Sequence, residues 1–490
     1  MCVEQLGSAT WPAAFTRGGL LPVPFITRNL SFPHPSGSPT DSLLFFLEVV
    51  LLFMTRFKGS DLLALGFMTF ALFLGAGNII FPASAGMAAG EYVWKAALGF
   101  LLTGVGLPLL TVVALARVGG GMPALTAPLG KWAGTLLAVA VYLAIGPLFA
   151  TPRTAVVSFE IGVVPFTGDS ALALFAYTCV YFGVVLFLSL KPGQLLDRVG
   201  KVITPVLLIA LILLGVAAVF APAGPVGGSV EAYQAQPLMK GFLEGYLTMD
   251  ALGALVFGVV IATAIRDRGV TMPNLVTRYS IIAVIIAGTG LALVYLSLFY
   301  LGATSQAIAG QASNGGQILT AYVQQTFGNP GLLLLAAVII LACLTTGVGL
   351  ITACGEFFSE LLQVSYAKVV WVFVLFSLLV SNQGLNELIR VSVPVLVGLY
   401  PLAIVLVGLA LADRLWRSSA RVFRPVMGVT LLFGIVDGLV AAGFDALVPG
   451  VFSQLPWAEL GIGWVVPVLV TLLVAVAVDR MLPGPLRTPA

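Results

Sequence analysis

The sequence predicts an all-α membrane protein with about twelve transmembrane helices. Of its 490 residues, 59% are hydrophobic and 9% are charged, and the mean hydropathy is +1.08. Soluble domains carry about 25% charged residues, so this chain needs a bilayer to cover its apolar surface. Inside hydrocarbon every backbone N–H and C=O must be paired, which leaves only helices and closed barrels. The apolar runs are roughly 20 residues long and do not alternate with period two, so they indicate helices.

Twelve spans can be placed along the chain, and together they form one transmembrane domain over residues 54–490. The first six lie near 61–90, 96–116, 133–152, 171–190, 202–221 and 242–265. The second six lie near 281–302, 331–354, 369–380, 391–411, 426–447 and 461–478. The ninth is the shortest of them.

The distribution of Lys and Arg predicts the orientation. Loops on the side of the amino end of the first span carry 17 of these residues, and the opposite loops carry Lys95, Arg153, Lys240 and Arg390. Because Lys and Arg concentrate in cytoplasmic loops, both termini are expected in the cytoplasm. An even number of spans is required for this separation, which agrees with twelve.

Residues 1–53 differ from the rest of the chain. Residues 1–40 are rich in Pro, Ser and Gly, and the apolar run 43–53 is too short to span and contains Glu48. No small-residue cleavage site follows a basic region, so a signal peptide is not predicted. Two interpretations are open: a start of translation at Met54, with an artefactual preceding stretch, or a disordered or surface-lying leader. The intact mass of the natural protein distinguishes them.

Composition and motifs exclude several classes of function. The net charge of +3 indicates no nucleic-acid surface, and no G-x-x-x-x-G-K-[ST] pattern is present for ATP hydrolysis. The single histidine, His34, lies in a Pro/Ser-rich stretch, and the four cysteines show no C-x-x-C spacing. We therefore expect no enzyme, no cofactor, no metal beyond a coupling ion and no obligate protein partner. The functions that remain are transport of a solute driven by an ion gradient and passive flow through a pore.

The first span contains the most informative segment. Gly75 and Gly77 flank Ala76, Asn78 follows, and Pro82 comes four residues later. Two glycines weaken a helix, and a proline removes one hydrogen bond and crowds a carbonyl. We expect the helix to break near Gly75–Asn78, where free amides attract a carboxylate and free carbonyls attract a cation. The alternative is close helix packing through small residues.

The sixth span offers a partner for this break. Gly245, Thr248 and Asp250 lie in the first half of an apolar run. An acid within a membrane costs about 2.5–3.5 kcal/mol on insertion scales, so Asp250 is a functional candidate. The alternative is an acid at the membrane boundary, still in contact with water.

Polar residues also occur in the eighth and third spans. The hydroxyls of Thr345 and Thr346 would face a cation if their helix meets the opened first span, or else bond back to the preceding turn. In the third span Tyr142 and Phe149 are expected to wall an apolar pocket. Arg153 is expected to snorkel near the outer surface or pair with Glu160.

Four separated blocks resemble the bacterial branched-chain amino acid carrier family, the LIV-II type cation symporters. They run from Gly75 to Pro82, Gly99 to Pro108, Ile145 to Thr154 and Gly241 to Asp250. The likeness extends from about Met54 to the carboxyl end. It implies a bacterial cytoplasmic membrane protein surrounded by membrane lipids.

The resemblance also implies a LeuT-like fold. Five helices over about 61–221 would be followed by an inverted copy over about 242–411, and two more helices over 426–478 would complete the domain. The residues themselves support this repeat only through the interruptions in spans one and six.

Substrates and site residues follow from the same resemblance. It implies leucine, isoleucine and valine as substrates, Na⁺ as the usual coupling ion and H⁺ as an alternative. The backbone of Gly75, Ala76 and Gly77 would bind the carboxylate, and Tyr142, Phe149 and Tyr246 would contact the substrate. Asn78 and Thr248 would hold one cation, and carbonyls of Ala71 and Leu74 with Thr345 and Thr346 would form a second cation site. If H⁺ is the coupling ion, Asp250, a candidate on the residues alone, would carry the proton.

The residues are compatible with this function and leave rivals open. Backbone dipoles can neutralise both ends of a zwitterion, and an apolar wall discriminates one methylene by only about 1–3 kcal/mol. All three branched substrates should therefore be accepted. The rivals are a symporter of the same fold for a nucleobase or another amino acid, a passive channel, and a membrane enzyme.

Overall fold

A computed structural model describes residues 59–190, 194–270 and 272–482, and every regular element in these ranges is a helix. The described residues belong to one compact unit. The expectations for residues 1–53 lie outside the described ranges.

The helices of the first half precede a long loop after Phe220. They are α1 (Gly59–Phe73), α2 (Gly77–Ala89), α3 (Val93–Leu101), α4 (Leu107–Val118), α5 (Gly121–Thr126), α6 (Lys131–Leu143), α7 (Ala150–Gly162), α8 (Val164–Thr167), α9 (Ala171–Leu190) and α10 (Gln194–Phe220). Single π-helical turns, Leu102–Gly106 and Ala144–Leu148, join α3 to α4 and α6 to α7.

The second half continues in the same way. Its helices are α11 (Glu231–Ala235), α12 (Pro237–Glu244), α13 (Asp250–Asp267), α14 (Pro273–Thr304), α15 (Gln306–Ala309), α16 (Gly315–Leu362), α17 (Tyr366–Ser381), α18 (Leu385–Leu411), α19 (Ser419–Ala441) and α20 (Val465–Met481). Short 3₁₀ turns lie at Gly90–Tyr92, Ala127–Leu129, Gly245–Thr248, Asp413–Leu415, Asp445–Leu447 and Ala458–Leu460.

The helices correspond in position to the predicted spans. Each of the twelve predicted spans overlaps at least one helix. By length and composition, seven helical stretches of the described residues can cross a membrane, or eight if the bent pair around Met249 is one span. Three further apolar helices are shorter. The count of twelve therefore stays a prediction.

Apolar side chains cover the outside of the helical assembly. On α9 only 28% of the most apolar window is buried, and Leu172 and Val180 are exposed. The interior holds close ring contacts, such as the edge-on packing of Phe100 against Tyr295 and Phe299. An apolar exterior of this kind matches the bilayer that the composition requires.

Glycines allow the backbones of neighbouring helices to touch. A Cβ added to Gly99 would lie 1.8 Å from the carbonyl oxygen of Leu238, and one added to Gly241 would lie 2.0 Å from that of Ala96. No side chain fits at such distances, so α3 and α12 pack backbone against backbone. Glycines hold α2 against α14 in the same manner.

The third span is longer than predicted. Its predicted end near Pro152 is wrong, because α7 continues to Gly162. Pro152 is the third residue of α7, in the first turn, where a missing N–H costs no helical hydrogen bond. The chain kinks instead at Gly146, which has non-helical angles (φ −90°, ψ −120°). Arg153 consequently lies inside the span and not in an outer loop.

Candidate functional site

The first span is interrupted within the predicted region. Helix α1 ends at Phe73, α2 begins at Gly77, and the residues between them are not helical. A Cβ on Gly75 would meet Asn78 Oδ1 at 3.4 Å and Thr346 Cγ2 at 3.7 Å, which are ordinary contacts. Gly75 is therefore not a close-packing position, in contrast to the glycines that join α3 to α12.

The sixth span is interrupted as well. Its first half ends in the 3₁₀ turn Gly245–Thr248, Met249 adopts a left-handed conformation (φ 63°), and α13 begins at Asp250. The two halves are bent by 45°. The Asp250 side chain lies at a helix N-terminus, where the helix dipole favours a carboxylate. The residue is only 5% exposed, so the alternative of a wet boundary acid is wrong.

Asn78 connects the two interruptions. Its Oδ1 accepts a hydrogen bond of 3.0 Å from the backbone N–H of Gly75. Its Nδ2 donates to Asp250 Oδ2 at 2.6 Å and also to the hydroxyl of Tyr295. The Tyr295 hydroxyl in turn donates to Asp250 Oδ2 at 2.8 Å. One amide thus caps the first break and anchors the carboxylate of the second.

Sequence reasoning did not find Tyr295. The residue lies on α14, is fully buried and supplies a hydroxyl to the Asn78–Asp250 pair. A tyrosine in the middle of an apolar span signals a need for a polar partner, since buried hydroxyls are usually hydrogen-bonded. The identity of that partner is not readable from the sequence.

A cavity of about 50 Å³ lies between the two breaks. Seven of the predicted site residues line it: Gly75, Ala76, Gly77, Asn78, Thr248, Asp250 and Thr346. Ile145, Phe257 and Leu350 contribute apolar walls.

Other predicted substrate contacts lie away from this cavity. The ring of Tyr142 stacks on Phe357 with centroids 3.9 Å apart. Tyr246 stacks on Tyr400 at 4.2 Å. Phe149 is buried, and like Tyr142 and Tyr246 it is not among the residues that line the cavity. In this conformation, therefore, the apolar walls come from other side chains.

The predicted cation ligands are brought together only in part. Thr248 Oγ1 donates to the Gly245 carbonyl at 2.9 Å and accepts the backbone N–H of Asp250 at 3.3 Å. The hydroxyls of Thr345 and Thr346 both donate to the Ala342 carbonyl, at 2.9 and 3.0 Å, which is the local bonding considered above. Ala71, Leu74 and Thr345 do not border the cavity.

Arg153 lines the cavity, contrary to the expectation from the sequence. The residue is 2% exposed and does not snorkel to the outer surface. Its Nη1 donates to the Leu247 carbonyl at 2.7 Å, and its Nη2 donates to Ser392 Oγ at 3.0 Å. The guanidinium lies over the Phe81 ring, 4.9 Å from its centroid. Spans one, three, six and ten therefore meet at this side chain.

Glu160 is not the partner of Arg153. Its Oε1 accepts hydrogen bonds from Asn314 Nδ2 at 3.1 Å and Gln317 Nε2 at 2.8 Å. The expected ion pair is wrong because helix α7 carries Glu160 two turns beyond Arg153, toward α16. The sequence suggests an outer position for Arg153 because a proline commonly ends a helix, whereas Pro152 lies in the first turn of α7.

The architecture matches solved membrane transporters. The inward-facing structure of Mhp1 aligns with a TM-score of 0.54 at 13% identity, covering 86% of this chain and 90% of that one. A manganese transporter from Eremococcus coleocola aligns at 0.52 and 14% identity, covering 86% and 96%. These likenesses confirm the LeuT-like fold class. The fold, with two interrupted helices around a buried cavity, is that of a multi-pass membrane protein.

The chain belongs to the branched-chain amino acid transport protein family, whose model matches residues 58–482. The branched-chain amino acid transport system 2 carrier protein of Pseudomonas aeruginosa is 72% identical, covering 88% of this chain and 99% of that protein. The permease BrnQ of Escherichia coli is 54% identical, covering 87% and 97%. The permease BraB of Bacillus subtilis is 47% identical, covering 84% and 93%. The resemblance and the expectation of a transporter, not an enzyme, are confirmed.

Proposed function

We propose that this protein imports leucine, isoleucine and valine together with Na⁺, by alternating access around the cavity between the two breaks. The observation that carries the proposal is the meeting of both interruptions at this cavity, joined by the Asn78–Asp250 hydrogen bond. Interrupted helices at mid-membrane are where such folds bind solute and ion. The relatives named above are called branched-chain amino acid carriers or permeases.

The backbone of Gly75, Ala76 and Gly77 is proposed to bind the substrate carboxylate. These residues line the cavity at the start of α2, where the N–H groups of a helix's first turn lack helical partners and favour an anion. The N–H of Gly75 already donates to Asn78 Oδ1, so Ala76 and Gly77 are the proposed amide donors. Ile145 and Phe257 supply apolar surface for a branched side chain. One methylene changes affinity by about 1–3 kcal/mol in such a pocket, so all three substrates are accepted. Tyr142, Phe149 and Tyr246 would join the pocket only after the helices rearrange.

Na⁺ is proposed to bind where the two breaks meet. Asn78 and Thr248 line the cavity and offer oxygen atoms for one ion. A second ion would take carbonyls of Ala71 and Leu74 with the hydroxyls of Thr345 and Thr346. Thr346 Cγ2 is 3.7 Å from the Cβ position of Gly75, which brings α16 next to the first break.

H⁺ coupling is the second candidate, and the burial of Asp250 favours it. A carboxyl group that is 5% exposed and bonded to Asn78 and Tyr295 is suited to carry a proton across the site. Either ion supplies enough energy. A tenfold gradient gives about 1.4 kcal/mol and 100 mV adds about 2.3 kcal/mol per charge, enough for accumulation of several hundredfold.

We infer that the protein resides in the bacterial cytoplasmic membrane with both termini inside. Because Arg153 lies inside a span, the outer loops carry only three basic residues of the predicted count, Lys95, Lys240 and Arg390. The inner side carries 17 Lys and Arg residues, as expected for cytoplasmic loops. The inverted repeats would comprise about 61–221 and 242–411, with 426–478 outside them.

Uptake into proteoliposomes tests the function. Labelled leucine should accumulate against its gradient when Na⁺ is higher outside, and unlabelled isoleucine and valine should compete. Replacement of external Na⁺ by K⁺ is the control. Uptake that ignores Na⁺ but collapses with a protonophore would assign the coupling to H⁺.

Other outcomes would contradict the proposal. Equilibration of leucine without accumulation under either gradient would indicate a channel, and a chemically altered product would indicate an enzyme. Competition by nucleobases but not by isoleucine or valine would indicate a symporter for another solute.

A further inference from the structure

Arg153 is a buried charge, and the part of the chain that the structure describes places no counter-charge at bonding distance from it. Both hydrogen bonds of its terminal nitrogens go to neutral acceptors, the Leu247 carbonyl and the Ser392 hydroxyl. Within the described ranges no Asp or Glu oxygen lies within 4.0 Å of its guanidinium nitrogens. A buried ion that lacks such a partner is costly, because neutral groups replace only part of its hydration. The arrangement favours an anion from outside the protein.

The guanidinium also keeps donor capacity. Arginine has five N–H donors in a planar fork, and the buried Nε of Arg153 has no hydrogen-bond acceptor among the described residues. The fork matches a carboxylate, with which it forms paired charge-assisted hydrogen bonds. Lysine would bring the same charge without this geometry.

The position of Arg153 relates this capacity to the cavity. Its Nη1 lies 3.5 Å from the position of a Cβ on Gly77, so the guanidinium touches the first break. The same side chain lines the cavity together with the backbone of Gly75 and Ala76. Asp250 lines it too, but its Oδ2 is engaged by Asn78 and Tyr295.

We propose that Arg153 recognises the α-carboxylate of the transported amino acid, next to the backbone N–H groups of the first break. This inference rests on the proposed transport of amino acids and adds a specificity-determining residue to it. The site then selects for a carboxylate by a permanent charge and not by backbone dipoles alone. Leucinol, which retains the ammonium group and side chain of leucine but has no carboxylate, should be rejected.

A tether between helices is the competing explanation. The bonds to Leu247 and Ser392 hold spans six and ten to span three, and this alone would justify a buried arginine. The tether leaves the Nε–H without an acceptor and does not require a place at the cavity. The two roles differ in what they predict for ligands with and without a carboxylate.

The test measures binding of labelled leucine to the full chain in lipid nanodiscs, with competition by unlabelled leucine and leucinol in saturating Na⁺. Wild type should prefer leucine by about 10- to 100-fold, the range expected for hydrogen bonds to a charged group. Arg153→Gln should weaken the binding of leucine by a similar factor and should change the binding of leucinol little. Arg153→Lys, which keeps the charge and is expected to fold, should lose part of the preference.

Ser392→Ala is the matched control, because it removes one tether bond and leaves the guanidinium. It should retain the preference of wild type for leucine. Two outcomes would overturn the proposal in favour of the tether. In one, Arg153→Gln weakens the binding of leucine and leucinol equally, and in the other Ser392→Ala loses the preference for leucine.

Two further results keep the conclusion independent of any one variant. Equal binding of leucine and leucinol by wild type would overturn the proposal without any mutation, even if Arg153→Gln does not fold. No binding of leucine by wild type, with Na⁺ or at any pH tested, would count against the proposed function itself. Leucine binding with an unchanged preference in Arg153→Lys and Arg153→Gln would overturn the role of Arg153 alone.

Discussion

The side-chain amide of Asn78 lies 2.6 Å from the carboxylate of Asp250, although 172 residues separate them in the chain. The first residue caps the interruption of span one, and the second opens the half-helix that follows the interruption of span six. Because one hydrogen bond joins the two breaks, a movement of either half-helix acts on the other. A change that weakens this bond should alter ion coupling before it alters folding.

Asn78→Ala should weaken cation dependence more than it weakens folding. The change removes the acceptor of the Gly75 N–H and a donor to the Asp250 carboxylate, and bonds to charged groups contribute about 1.5–3 kcal/mol. The Na⁺ concentration for half-maximal leucine uptake should rise about tenfold or more. The amount of membrane-inserted protein is measured in parallel. Thr430→Ala, which removes a buried hydroxyl in α19 bonded to the Val426 carbonyl, is the control.

Comparable loss of inserted protein in Asn78→Ala would instead show that the amide is structural. An unchanged Na⁺ dependence at normal protein levels would remove Asn78 from the cation site.

Asp250→Asn separates the two coupling ions. The amide keeps the shape of the carboxyl group and an acceptor oxygen, but it cannot carry a proton. If Na⁺ drives transport, the variant should still accumulate leucine on a Na⁺ gradient, at reduced affinity, with a protonophore present or absent. Loss of all concentrative uptake while leucine–leucine exchange persists would assign proton transfer to Asp250.

Gly75→Ala and Gly99→Ala should fail in different ways. A Cβ at position 75 makes only ordinary contacts, the nearest at 3.4 Å, so Gly75→Ala should fold and lose substrate affinity. A Cβ at position 99 would come within 1.8 Å of the Leu238 carbonyl oxygen, and such overpacking costs about 1–3 kcal/mol or more. Thermal unfolding in detergent and leucine binding distinguish the two. A Gly75→Ala variant with a lower melting temperature than Gly99→Ala would contradict this assignment.

Because Met249 has a left-handed conformation, glycine at this position should give a more stable protein than alanine, the reverse of the usual order. Both Met249→Ala and Met249→Gly remove the same buried side chain, but only glycine adopts φ 63° without strain. Met249→Gly should therefore unfold at a higher temperature than Met249→Ala. The expected difference in free energy of unfolding is about 1 kcal/mol. Ala254→Gly, inside α13, should destabilise by about the same amount. Equal stability of the two Met249 variants would mean that the break relaxes when its side chain is lost.

Much of the fold was predictable because it depends on local chemistry. Apolar runs of helical length require a bilayer, and Gly75 and Gly77 weaken the first span where the structure interrupts it, whereas Pro82 lies inside α2. The sequence allows the hydroxyls of Thr345 and Thr346 either to face a cation or to bond to the preceding turn. In the structure both donate to the carbonyl of Ala342 in that turn. The number of spans does not follow from local chemistry alone, since several helices are short or broken.

By itself, the sequence determined that this protein lies in a membrane, that its first span breaks at glycines and that its sixth span carries an acid in its first half. These properties belong to short segments and to the free energy of placing them in hydrocarbon. Only the tertiary structure decided that Tyr295 meets Asp250 and that Arg153 lies at the cavity instead of the surface. The partners of Arg153, Leu247 and Ser392, lie 94 and 239 residues away along the chain. Such contacts arise from the packing of whole helices, which no local pattern encodes.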